Sequence, residues 1–174
     1  DQGFWPVYAG NNASMKYSPL AQIAQNNLSD LAVAWRWRSP DNDIGGVQNT
    51  AFEATPLFID GVLYTSTSFS QVSAINGANG ETLWQYDPET YRYARPPNNG
   101  YLHRGVSYHE TTAGKTVHMP TGDGRLLALN AVTGKPRTNF GDSGFGSVDL
   151  LKDIPRLNQS TMQLSDAHDQ PDAP

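Results

Sequence analysis

Residues 73–88, SAINGANGETLWQYDP, return in altered form at residues 127–141 as LALNAVTGKPRTNFG, and this repeat restricts the fold more than any other feature of the chain. Gly134 follows Gly80 by 54 residues, and at that offset Ala74 falls on Ala128, Asn76 on Asn130 and Leu63 on Val117. Self-similarity near 50 residues is the period of propeller blades and solenoids. Each copy reads as a β-hairpin. Residues 71–75 alternate polar with apolar side chains, the Asn-Gly-Ala-Asn-Gly run reverses the chain, and residues 82–86 return apolar and aromatic. Asn79-Gly80 and Thr133-Gly134 mark the reversals, because tight turns between twisted strands need positive φ, which Gly takes freely and Asn tolerates. Trp84 follows the turn glycine at a fixed distance and suits a docking plug between neighbouring sheets. In the second copy Thr138 stands at the Trp84 position, with Phe140 nearby.

The rest of the chain reads in the same terms. Residues 4–8, FWPVY, form an aromatic opening before a turn-rich stretch. In residues 17–37 Pro19 can open a short helical turn, and Leu28, Leu31 and Val33 lead into an alternating strand ending in Trp35 and Trp37. Residues 52–67 predict two strands around Asp60-Gly61, a strong hairpin signal. Together with residues 71–75 and 82–86 they make four successive antiparallel strands, the content of one propeller blade. Residues 87–100 are a Pro- and Asn-rich loop. The next blade is expected from residues 104–109, 116–120, 125–130 and the Phe140 region, with irregular chain from Gly141 onward.

The expected organisation is therefore all-β. Residues 1–50 hold an N-terminal segment and first strand region, residues 51–100 a blade with the tryptophan-docking hairpin, and residues 101–150 a second blade. Residues 151–174 form an irregular tail leading to missing blades. Closed propellers use about four to eight four-stranded blades, and fewer would leave apolar faces and edges bare, so the chain reads as the N-terminal piece of a longer protein. A two-sheet domain, or one completed by oligomerisation, is the alternative.

Composition agrees and excludes several classes of function. Charged residues are 17% of the chain, below the roughly 25% of ordinary domains, while 16 Gly, 12 Pro and 8 Tyr favour turns and pleated surfaces. The net charge is −5 and the Lys and Arg residues are dispersed, which argues against nucleic acid as a partner. With no cysteine there is no disulfide framework, thiolate metal site or cysteine nucleophile. No apolar run approaches the ~18 residues of a membrane-spanning helix. The start at Asp1 fits a removed signal peptide or a trimmed piece.

The ordered motifs WPVYAGNNASMKYSPLAQI from Trp5, LAVAW at residues 31–35, FEATPLFIDGVLYTST, AINGANGETLWQYDP, HRGVSYHE at residues 103–110 and GDGRLLALNAVTGKP at residues 122–136 resemble the quinoprotein dehydrogenases. These are eight-bladed propellers that bind pyrroloquinoline quinone (PQQ). The wording RGVSYHE is most similar to the glucose/quinate-type branch. The resemblance implies that Glu53, in FEATP, lies against PQQ and that Arg104, in HRGVSY, reaches the quinone oxygens. The residue types suit the task. A guanidinium offers paired, permanently charged donors to an oxygen that gains negative charge as hydride arrives. Read without the family, Arg104 is a surface ion pair and Glu53 a solvated strand-end charge. Several family members carry cysteine just before the arginine, where this chain has His103; the substitution removes a disulfide cap and leaves His103 to stack or hydrogen-bond at the pocket rim.

The resemblance further implies a periplasmic dehydrogenase, membrane-associated if parts outside this segment anchor it. Its substrate would be an alcohol, sugar or polyol, its electron acceptor a quinone or cytochrome, and its partners the remaining blades. The Ca²⁺ ligands, general base and stacking tryptophan are expected outside this segment, so the segment alone should not turn over substrate. The competing reading is a non-enzymatic scaffold propeller of PQQ-like repeats that binds proteins. His103, His109, His118 and His168 lack the close pairing of a zinc site, and Asp166, Asp169 and Asp172 lack the order of a calcium loop. Gly122-Asp123-Gly124 lacks the third glycine and the helix of a phosphate loop.

Overall fold

Asp60 and Gly61 take φ of 51° and 80°, the left-handed pair that a two-residue hairpin requires. They join β1 (Leu57–Ile59) to β2 (Val62–Ser66), and β3 (Val72–Asn76) and β4 (Thr82–Tyr86) complete an antiparallel meander in the order β1-β2-β3-β4. A second meander repeats the pattern with β5 (Ser107–Thr111), β6 (Gly114–Pro120), β7 (Arg125–Asn130) and β8 (Ser147–Asp149). This is the arrangement in a computed structural model, which describes residues 3–46, 51–92, 100–141 and 144–152.

The sheets share one core. The row Leu57, Tyr64, Ala74 and Trp84 crosses all four strands of the first sheet, because each residue sits opposite the next in register. It packs on Val117, Met119, Leu127, Leu129 and Ala131 of the second sheet. Tyr108 lies 6.0 Å, centroid to centroid, from the ring of Tyr64 and closes the seam from β5. Inward-facing apolar side chains at a period of two thus bind blade to blade.

Two ends of the sheets differ in kind. At one end lie the tight hairpins, Asp60-Gly61, Asn79-Gly80, Thr112-Ala113 and Thr133-Gly134. There the Trp84 indole donates to the Ala131 carbonyl at 2.9 Å and lies over Gly134, where a Cβ would come within 2.6 Å of the ring. Gly134 has φ of 70°, so Gly134→Ala is expected to lower the unfolding midpoint through clash and backbone strain together, by more than the ~1 kcal/mol that left-handed strain alone costs. Denaturant unfolding compared with Val132→Ala, at an exposed neighbour, checks this. Trp35 repeats the arrangement one hairpin earlier, donating to Gly77 at 3.1 Å and covering Gly80.

At the other end lie the β2–β3 and β6–β7 loops and the long connection from β4 to β5. Because both sheets run the same way, the chain leading into β1 and the chain leading into β5 lie side by side: Thr55 pairs with Gly105 in a parallel bridge, and the Thr55 N–H donates to the Arg104 carbonyl at 3.3 Å. Trp5 covers the outer edge of β1, exchanging two backbone hydrogen bonds with Phe58.

Three expectations need correction. Residues 31–37 pair with no strand among the described residues, and Leu31 and Val33 are exposed; alternation specifies a pleat but not its partner. The helical turn of the N-terminal segment is the 3-10 stretch Gln25–Asp30, after Pro19 rather than at it. The fourth strand of the second sheet is β8, not the Phe140 region. Pro136 bridges Leu129, the chain leaves the sheet edge after Arg137, and it returns at Gly146, whose carbonyl accepts from Ala128. Gly141, Gly144 and Gly146, all at positive φ, make that excursion possible. Residues 153–174, including His168, Asp166, Asp169 and Asp172, lie outside the described residues, as do residues 93–99 of the Pro- and Asn-rich loop.

Candidate cofactor-facing site

Glu53 and Arg104 stand on the two adjacent lead-in segments, and the parallel bridge at Thr55 and Gly105 brings them together. Their charged groups approach to 3.8 Å while the side chains stay 50% and 81% exposed. So open and loose a pair contributes at most about 1 kcal/mol to stability, and often nothing. Its value is as a presented set: a cationic fork and a carboxylate side by side at the loop end of the innermost strands.

The backbone beneath them is tightly held. Gly105 has φ of 137°, and a Cβ there would meet the Thr55 carbonyl at 3.1 Å, so only glycine allows the segments to run this close. Ser68 Oγ donates to the Ala51 carbonyl and anchors the segment that carries Glu53. On the other segment, buried Tyr101 packs edge-on against buried Phe69 with centroids 4.8 Å apart, and Thr90 Oγ1 donates to the Phe69 carbonyl.

His103 lies under Arg104 and is 9% exposed. Its Nδ1 stands 2.6 Å from Ser66 Oγ and accepts the Gly105 N–H at 3.2 Å, while Nε2 lies 2.6 Å from the Pro120 carbonyl. A carbonyl only accepts and an amide N–H only donates, so the proton belongs on Nε2 and the lone pair on Nδ1. Burial pushes the imidazole pKa below 6.5, against the opposing pull of the Pro120 carbonyl, which favours this neutral form.

The sequence-predicted residues therefore converge, Glu53 and Arg104 on the surface and His103 beneath them. Sequence reading missed their supports, Ser66, Pro120, Thr55 and Gly105. It also missed Asp41, a buried carboxylate that accepts from the Phe69 N–H at 3.2 Å and from Gln71 Nε2 at 3.0 Å. These contacts join distant segments and leave no local pattern; Gly105, following Arg104 directly, was the one available signal. His109 and His118 lie on β5 and β6 away from this group, and no group of three metal-ligating side chains occurs among the described residues.

Repeated four-stranded antiparallel meanders, stacked face to face with their innermost strands side by side, are blades of a β-propeller. Residues 5–168 match the family model described as "PQQ: Glucose/ethanol/alcohol dehydrogenase, beta-propeller domain", and the chain belongs to that family. It is 42% identical over 134 residues to quinohemoprotein alcohol dehydrogenase ADH IIB of Pseudomonas putida, covering 76% of this chain and 18% of that protein. It is 35% identical over 158 residues to the quinoprotein glucose dehydrogenase of Escherichia coli (strain K12), covering 80% and 19%. Among solved structures, the quinohemoprotein alcohol dehydrogenase from Comamonas testosteroni superposes with a TM-score of 0.66 at 30% identity, over 86% of this chain and 20% of that one. The chain thus spans about a fifth of the length of these relatives.

The donor set fits the family's cofactor. A polyanionic quinone calls for permanently charged, forked donors that are open to it, and the side chain of Arg104, 81% exposed, is a donor of that type. The loose pairing with Glu53 leaves the guanidinium available for exchange of partners.

Proposed function

We propose that this chain forms two blades of a periplasmic, PQQ- and Ca²⁺-dependent dehydrogenase that oxidises an alcohol, sugar or polyol and passes electrons to a quinone or cytochrome. The carrying observation is the convergence of Glu53 and Arg104, 3.8 Å apart, on the glycine-dependent bridge between the segments leading into two innermost strands. When bound, PQQ supplies an ortho-quinone that accepts hydride from the carbinol carbon. Arg104 holds its N–H fork where oxyanion charge develops, and because the charge is permanent no proton has to be moved there. Glu53, beside Arg104, would help orient the cofactor. The bridge between Thr55 and Gly105 keeps both groups in register, so neither must be reorganised as charge builds.

The general base, the Ca²⁺ ligands and the stacking tryptophan belong to the blades outside this segment. In the same reading the Trp84 and Trp35 contacts are the docking motif that holds successive blades.

The full-length protein reconstituted with PQQ and Ca²⁺ is expected to reduce an artificial electron acceptor with primary alcohols or aldoses and to lose that activity on chelation; residues 1–174 under the same conditions should give none. Full-length protein that binds no PQQ but captures other proteins through its propeller face would overturn the reading in favour of a scaffold. Recovery of the protein in the cytoplasmic rather than the periplasmic fraction would overturn its location.

A further inference from the structure

We infer that His103 is a positioning residue that sets the guanidinium of Arg104 by clasping the two blades together through its neutral ring, and that it does not itself hold the cofactor. This rests on the cofactor reading of Arg104 given above.

The geometry carries the inference. Ser66 ends β2 in the first sheet and Pro120 ends β6 in the second, and the His103 ring bridges them with 2.6 Å contacts on both nitrogens. Its Nδ1 also takes the N–H of Gly105, the residue directly after Arg104. The backbone on both sides of Arg104 is therefore fixed, by the imidazole before it and by the Gly105 bridge to Thr55 after it. A ring that is 9% exposed, with both nitrogens engaged, has little surface and no nitrogen left for a ligand. Arg104, at 81% exposed, has little packing of its own to hold it, so its placement depends on this support. Around bound metals, losing a hydrogen bond one layer behind a ligating side chain changes affinity by about 10- to 100-fold, and the lower end of that range is the expectation for a support behind Arg104.

A double-mutant cycle on the full-length protein tests the inference, with PQQ in the presence of Ca²⁺ as the probe and its dissociation constant, read by quenching of tryptophan fluorescence, as the observable. His103→Leu is expected to weaken binding about tenfold in the wild-type background and less than about twofold when Arg104 is already alanine, because its effect passes through Arg104. His103→Asn, which can keep an acceptor near Gly105 and Ser66 but cannot reach Pro120, should fall between wild type and His103→Leu. An equal loss in both backgrounds would place His103 against the cofactor and overturn the inference, as would no loss in either. If His103→Leu does not fold, Ser66→Ala, which removes one partner of Nδ1 and leaves the ring, is judged by the same criterion. Absence of PQQ binding by the wild-type protein overturns the cofactor reading itself and this inference with it.

Discussion

Arg104→Ala in the full-length protein is expected to lower kcat about 100- to 1000-fold while leaving the unfolding midpoint unchanged. The size follows from what the residue does: a charged donor aimed at developing oxyanion charge is worth roughly 10²–10³ in rate. The indifference of stability follows from where it sits. Its side chain is 81% exposed and its ion pair with Glu53 is 3.8 Å long, so truncation removes neither core packing nor a tight salt bridge. Arg104→Lys keeps the charge but loses the planar fork, and should recover only part of the rate. Steady-state kinetics paired with thermal unfolding separates the two effects. A fall in stability matching the fall in rate would mean that Arg104 is structural.

Trp84→Ala should do the reverse, lowering stability by about 3 kcal/mol, at the low end of the cost of emptying a buried aromatic site because the indole is only half-buried. The ring packs over Gly134, its centroid lies 6.0 Å from that of Tyr64, and its N–H donates to the Ala131 carbonyl. Removing it opens the seam between the sheets at the hairpin end. Trp84→Phe keeps most of the ring contact and loses the N–H, for about 1 kcal/mol. The Ala131 carbonyl still accepts from Tyr64 Oη at 3.2 Å, which limits the damage. Denaturant midpoints for the pair of variants measure both parts. Equal losses in Ala and Phe would assign the effect to the hydrogen bond alone.

Much of the fold was legible locally. Asp60-Gly61 and Asn79-Gly80 announce their hairpins because a left-handed turn tolerates few residues, and the register of β1 through β3 follows from the first of those turns and the period of two, whereas a bulge between β3 and β4 shifts the register so that Trp84 rather than Leu83 stands opposite Ala74. Where the chain departs from a local rule, sequence reading faltered. Phe140 stands among apolar and aromatic residues after a turn, as a returning strand would, yet it packs beside His118 while β8 forms several residues later. The partner of an indole was equally hidden. Trp84 sits four residues from Gly80, but Trp35 covers that glycine and Trp84 reaches Gly134.

The candidate site divides in the same way. Glu53 and Arg104 were named from their motifs, FEATP and HRGVSY, since the residue types and their neighbours are written in one dimension. Their approach to 3.8 Å was not, because it depends on two lead-in segments about fifty residues apart running parallel. The sequence by itself determined the repeat, the turns, the strand faces and which charged residues to examine, all of which rest on spacing and on the φ each residue tolerates. Only the tertiary structure decided that His103 turns inward between Ser66 and Pro120 while Arg104 turns outward, because that depends on which blade end each strand delivers to the seam, and a seam between sheets has no period along the chain.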